Sequence, residues 1–130
     1  MEMSFLLRFH YSLIIPKTCS MKILIIEDES RAVNQLQRLL QTCNFHFELL
    51  DVIDTVEDAI VWFETNSTPN LVFMDIQLAD GLSFEIFQKV TVKAPIIFTT
   101  AFDQYAIQAF KVNSVDYLLK PIQQDDLKRS

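Results

Sequence analysis

From Met21 onward, short apolar runs alternate with segments whose apolar residues recur at helical spacing. Five runs stand out: Ile23 to Ile26, Phe47 to Ile53, Leu71 to Met74, Ile96 to Phe98 and Val115 to Leu119. This alternation predicts a parallel sheet, because strands that run the same way must be joined by long crossovers, which fold as helices over the sheet faces. Four runs are almost continuously hydrophobic, as strands buried on both faces are. The second, Phe47-Glu48-Leu49-Leu50-Asp51-Val52-Ile53, carries charges and suits an edge. Right-handed crossovers then give a doubly wound, five-stranded α/β fold with strand order 2-1-3-4-5. In that architecture ligands bind outside the carboxyl ends of the strands, where the strand order reverses.

The intervening helices can be placed from their apolar faces. Ala32, Val33, Leu36, Leu39, Leu40 and Cys43 predict a first helix that starts near Glu29 or Ser30. Val56, Ala59, Ile60 and Phe63 follow Thr55 as a second, ended by Ser67-Thr68-Pro69-Asn70. Leu82 to Val92 make a third after the Asp80-Gly81 turn, and Tyr105, Ala106, Ala109 and Phe110 a shorter fourth. A fifth would begin after Pro121 and is truncated by Ser130. A chain of 130 residues, half of them hydrophobic, has material for one core. Met21 stands directly before the first strand pattern, so residues 1–20 read as an upstream extension and residues 21–130 as the domain.

Composition removes several function classes. The net charge of -6 provides no footprint for gripping nucleic acid. Cys19 and Cys43 form no metal-ligand pattern, and isolated thiols fit a reducing compartment such as the cytoplasm. No apolar stretch approaches the length of a membrane span. His10 and His46 lack a second ligand in pattern and read as surface residues, while Trp62 lies off the apolar stripe of its helix.

The polar residues at the ends of the apolar runs are more informative: Glu27-Asp28-Glu29 after the first, Asp75 after the third, Thr99-Thr100 after the fourth and Lys120-Pro121 after the fifth. A single carboxylate at a strand end commonly caps the next helix, and Glu29 or Ser30 has that option. Polar groups from four strand ends meeting in one crevice call for another account. Unit charges about 4 Å apart interact by roughly 4 kcal/mol at an effective dielectric near 20, so clustered carboxylates repel and raise their pKa values unless a cation intervenes, and a divalent ion is the natural remedy. With oxygen ligands only, hard Mg²⁺ fits. Lys120 then serves as a point charge for a phosphoryl group, Thr100 as a hydroxyl donor to it, and Asp75 as the nucleophile.

The segments Ile23-Leu24-Ile25-Ile26-Glu27-Asp28-Glu29, Leu71-Val72-Phe73-Met74-Asp75-Ile76, Phe98-Thr99-Thr100-Ala101 and Asp116-Tyr117-Leu118-Leu119-Lys120-Pro121 together resemble the successive signatures of response regulator receiver domains over residues 21–130. The stretch from Phe98 through Ala106 and from Phe110 through Tyr117 is similar to receivers attached to LytTR-type DNA-binding domains. The resemblance implies a flavodoxin-like fold and a signalling domain that catalyses only its own phosphotransfer and dephosphorylation. It further implies a sensor histidine kinase that donates to Asp75, Asp28 as a direct Mg²⁺ ligand, Glu27 as a ligand through water, and the Gln77 backbone carbonyl as a third protein ligand. A cis Lys120–Pro121 bond is also implied. Tyr117 would be the aromatic whose rotamer follows phosphorylation, and the face of the fourth helix, fifth strand and fifth helix a homodimer surface.

Two positions depart from the usual pattern. Glu27 replaces a common aspartate, and Ala79 stands where many receivers have proline, with Gly81 left to bend the loop. Alternative readings are a receiver-like interaction module without phosphorylation, an aspartate-nucleophile phosphatase and a nucleotide binder. The phosphatase usually places its nucleophile after the first strand in an Asp-x-Asp pattern and adds a cap domain. The nucleotide binder lacks a glycine-rich cradle, since the chain has one glycine.

Overall fold

The computed structural model describes residues 20–43, 46–101 and 116–120. In chain order these form β1 (Met21–Ile26), α1 (Ser30–Thr42), β2 (Phe47–Ile53), α2 (Val56–Thr65) and β3 (Leu71–Asp75). A hairpin pairing Gln77–Leu78 with Gly81–Leu82 comes next, then a 3-10 turn (Ser83–Glu85), α3 (Ile86–Lys89), β4 (Ile96–Thr100) and β5 (Asp116–Leu119). The main sheet has five parallel strands in the order β2-β1-β3-β4-β5, as the alternation of runs predicts. The predicted fourth helix, the truncated fifth helix, the segment 1–19 and the Lys120–Pro121 bond lie outside the described residues.

Strand side chains point alternately to the two faces, and the core divides accordingly. Ile23 and Ile25 pack with Val33, Leu36 and Leu40 of α1, while Leu24 and Ile26 pack with Val56, Ala59 and Ile86 of α2 and α3. Every residue of β3 and β4 is buried, which explains their unbroken hydrophobicity. The edge strand β2 is mostly half-buried or exposed. Its pairing with β1 jumps from Ile23 opposite Leu49 to Leu24 opposite Asp51, so Leu50 is an extra residue in a bulge.

Helix α2 starts as Thr55 predicts, with its hydroxyl accepting the Asp58 N–H at 3.1 Å. The third helix is shorter than the expected span of 82–92. Leu82 is extended and pairs with Gln77, and the Ser83 N–H donates to Ile76 O at 2.8 Å, so the hairpin captures the expected helix start. At the other end Val90 is extended, where the β-branched run Val90-Thr91-Val92 has weak helix preference. Trp62 is half-buried against the α2 side of the core, edge-on to Phe63, and His46 is exposed.

Leu40 is fully buried in the α1 core, so Leu40→Ala is expected to lower unfolding stability by about 2–5 kcal/mol in urea titration. Ser83 is also fully buried, but its hydroxyl has no hydrogen-bond partner among the described residues. Ser83→Ala should therefore leave the urea midpoint unchanged or raise it.

Candidate functional site

Register brings the polar strand ends together. Ile26 pairs with Met74, Asp75 with Thr99, and Thr100 with Leu119, so Glu27, Asp75, Thr100 and Lys120 emerge at the same edge of the sheet. Backbone bonds continue the ladder there: Glu27 N–H to Ile53 O at 2.8 Å, Ile76 N–H to Thr99 O at 3.2 Å, and Lys120 N–H to Thr100 O at 2.6 Å.

Lys120 is the hub. Its Nζ lies 2.6 Å from Glu27 Oε1, 3.1 Å from Asp75 Oδ2 and 3.4 Å from Glu29 Oε1. The other Asp75 oxygen, Oδ1, accepts the Gln77 N–H at 3.3 Å. Glu27 and Asp75 are each 5% exposed, whereas Asp28 and Glu29 face solvent. One carboxylate oxygen from each of Glu27, Asp28, Glu29 and Asp75 lies within 4.8 Å of the others. Beside them a cavity of about 370 Å³ is lined by Asp28, Glu29, Asp75, Gln77, Thr100 and Lys120, among others. Thr100 is buried at its wall.

The electrostatics result from this crowding. Burial pushes the Glu27 carboxyl up to about 7, the nearby Asp75 adds to the rise, and Lys120 opposes it. Burial pulls Lys120 down, but its bonds and charge attraction to Glu27 and Asp75 outweigh that and hold the ammonium above its ordinary value. Three of the four clustered carboxylates thus share one ammonium among the described residues, and the exposed Asp28 stands beside them without a contact to it. This all-oxygen donor set with surplus negative charge fits a hard divalent cation such as Mg²⁺.

The structure therefore gathers Asp28, Asp75, Gln77, Thr100 and Lys120 around one cavity, and Glu27 joins them through Lys120. Of Tyr117 it gives the backbone position in β5, opposite Phe98, and its side chain lies outside the described residues. Glu29, for which the sequence leaves open both a helix-start role and the strand-end cluster, belongs to the cluster. It does occupy the N-cap position of α1, yet its side chain makes no capping bond and reaches Lys120 instead. Its own N–H donates to Glu27 Oε2 at 3.2 Å. Its place in the Glu-Asp-Glu run was the available signal.

Comparison with known proteins agrees with this geometry. The family described as "Response regulator receiver domain" matches residues 23–130. The sensory transduction protein LytT of Bacillus anthracis is 41% identical over 108 residues, covering 81% of this chain and 43% of that protein. The transcriptional regulatory protein LytR of Staphylococcus aureus is 37% identical over 113 residues, covering 85% of this chain and 45% of that protein. The chain thus spans less than half the length of these relatives. Among solved structures, the response regulatory domain of mrkE from Klebsiella pneumoniae superposes with a TM-score of 0.71 at 31% identity, over 83% of this chain and 89% of that one. The fold, the convergent strand ends and these matches place the chain in the response regulator receiver domain family, among relatives of LytT and LytR type.

Proposed function

We propose that the chain is a cytoplasmic phosphorylation switch in which Asp75 accepts a phosphoryl group from the phosphohistidine of a sensor histidine kinase. The observation that carries this reading is the state of Asp75: buried, with one oxygen held by the Gln77 N–H and the other by Lys120. A carboxylate fixed at both oxygens beside an open cavity is positioned for attack, and positioning with charge stabilisation is most of what phosphoryl transfer requires. Asp28, Asp75 and the Gln77 carbonyl would hold Mg²⁺ directly and Glu27 through water. When bound, the ion would supply neutralisation of the charge on the transferring oxygens.

In the transfer, an Asp75 carboxylate oxygen forms the new O–P bond as the P–N bond to the donor imidazole breaks, and the imidazole nitrogen keeps the electron pair. Lys120 pairs with the incoming phosphoryl oxygens, and Thr100 donates its hydroxyl to one of them. Movement of Thr100 toward the phosphoryl group lets Tyr117 turn inward, altering the face around residues 104–112 and 115–119 on which the domain pairs with a second copy. The effector switched in this way is a LytTR-type DNA-binding domain. The only reactions the domain carries are its own phosphorylation and dephosphorylation.

Incubation with acetyl phosphate and Mg²⁺ should add one phosphoryl group to the protein, read by intact-mass spectrometry. Asp75→Asn should take none, and Lys120→Ala should label on the order of 10²-fold more slowly. Equal labelling of Asp75→Asn would move the acceptor elsewhere, and no labelling from acetyl phosphate or a cognate kinase would favour a binding-only module.

The raised Glu27 carboxyl sets a pH dependence. Between its ordinary value of 4.5 and about 7 the folded chain keeps a proton that the unfolded chain has lost, so metal-free stability should fall as pH rises through that window. Lys120 does not contribute there, because its raised value concerns alkaline pH. Cation binding needs the carboxylate, so Mg²⁺ affinity should rise with pH and level off above about 7. Thermal melts with EDTA and with Mg²⁺ should therefore diverge more at pH 8 than at pH 6, and the same shift at both pH values would contradict this assignment.

A further inference from the structure

The loop that leaves Asp75 is tied to a distant element by a side chain outside the acidic cluster. Asp80 Oδ1 accepts the Val56 N–H at 2.7 Å, and its Oδ2 accepts the Glu57 N–H at 3.2 Å, across 24 and 23 residues of chain. With Thr55 taking the Asp58 N–H, the first three N–H groups of α2 all have acceptors. Two carboxylate oxygens on two helix-end donors make a charge-assisted clamp. What burial Asp80 has raises its pKa, but the N–H bonds outweigh it and hold the carboxyl below its ordinary value.

The Ile76 N–H bonds to Thr99 O at the entry to the loop, and the hydrogen bonds beyond it are short-range. Gln77 pairs with Leu82 and Leu78 with Gly81, the Ser83 N–H reaches Ile76 O, and the Leu82 N–H reaches Glu85 Oε2 at 3.1 Å. Gly81, at φ 145°, reverses the chain directly after Asp80, and a Cβ there would collide with the Glu85 carboxylate. These bonds shape the hairpin, and Ile76 and Leu78 seat it in the core shared with Val56, Ala59 and Ile86, but none of them is a polar tie to the end of α2. Asp80 supplies an anchor to another element. The anchored hairpin carries Gln77, whose N–H holds Asp75.

We propose that Asp80 is a positioning residue: by clamping the hairpin to the amino end of α2 it sets the placement of the Gln77 backbone, and through it the cation affinity of the Asp75 site. The inference rests on the reading of Asp75 as a Mg²⁺-dependent acceptor. Asp80 is not one of the four converging carboxylates, so its effect is transmitted through the backbone. Outer contacts that orient a metal site commonly change affinity by tenfold or more when removed.

Thr55 provides the discriminating control, because it caps the same helix end without touching the hairpin's Asp80 clamp. The full chain, Asp80→Ala, Asp80→Asn and Thr55→Ala would be compared by calorimetric titration with Mg²⁺. Metal-free hydrogen exchange of residues 76–83 gives a second readout. Asp80→Ala should weaken Mg²⁺ binding about tenfold and speed exchange in the hairpin. Asp80→Asn, which keeps one acceptor oxygen, should fall between, and it decides the matter against Thr55→Ala if the alanine variant does not fold. Thr55→Ala should lose helix stability yet bind and exchange like the unmodified chain. Equal effects of the Thr55 and Asp80 variants would reduce Asp80 to a helix cap, and unchanged binding in the Asp80 variants would also overturn the proposal. If the unmodified chain itself binds no Mg²⁺, the Asp75 reading fails and this inference falls with it.

Discussion

The Lys120 ammonium holds the end of the sheet together electrostatically. It sits 2.6 Å from Glu27 and 3.1 Å from Asp75, two acids that are otherwise removed from water. Coulomb attraction at such distances is about 5–6 kcal/mol per pair at an effective dielectric near 20, and desolvation of the buried partners offsets much of it. The balance is incomplete, since among the described residues one ammonium stands against four clustered carboxylates. Burial, with Asp75 adding to it, lifts the Glu27 proton affinity to near neutrality. The same deficit makes a divalent cation and the anionic group it accompanies fit the site.

That constellation depends on strand register, and register depends on burial. Ile23 and Ile25 face α1 while Leu24 and Ile26 face α2 and α3, so a slip of one residue in β1 would exchange the two cores. The polar residues after each strand have no such packing of their own and are carried to the edge by the hydrophobic residues behind them. Loops are less constrained, which is why the hairpin after Asp75 gains from an anchor outside itself.

Fold and site were legible in the sequence to different depths. Strands β1, β3 and β4 were readable because two-sided burial leaves nearly unbroken apolar runs, and charges in β2 marked the edge. Thr55 identified a helix start because a capping side chain acts on its own neighbours. The third helix was overextended because the capture of Leu82 by Gln77 is a pairing that apolar spacing does not encode. For Glu29 the sequence leaves both capping and the strand-end cluster open, and its side chain follows charge toward Lys120. From sequence Asp80 shows only as a turn residue, since its partners Val56 and Glu57 offer backbone donors that leave no trace in residue type.

The central claim is that the carboxylate cluster is undercompensated and completed by a divalent cation. Calorimetric titration of Mg²⁺ into the unmodified chain and Asp28→Asn at pH 8 addresses it directly. Asp28 faces solvent and makes none of the Lys120 contacts, so its charge can be removed without disturbing the hub. A single saturable site in the unmodified chain, weakened about tenfold or more in Asp28→Asn, is the predicted result. Absence of binding, or equal binding in both proteins, would contradict it.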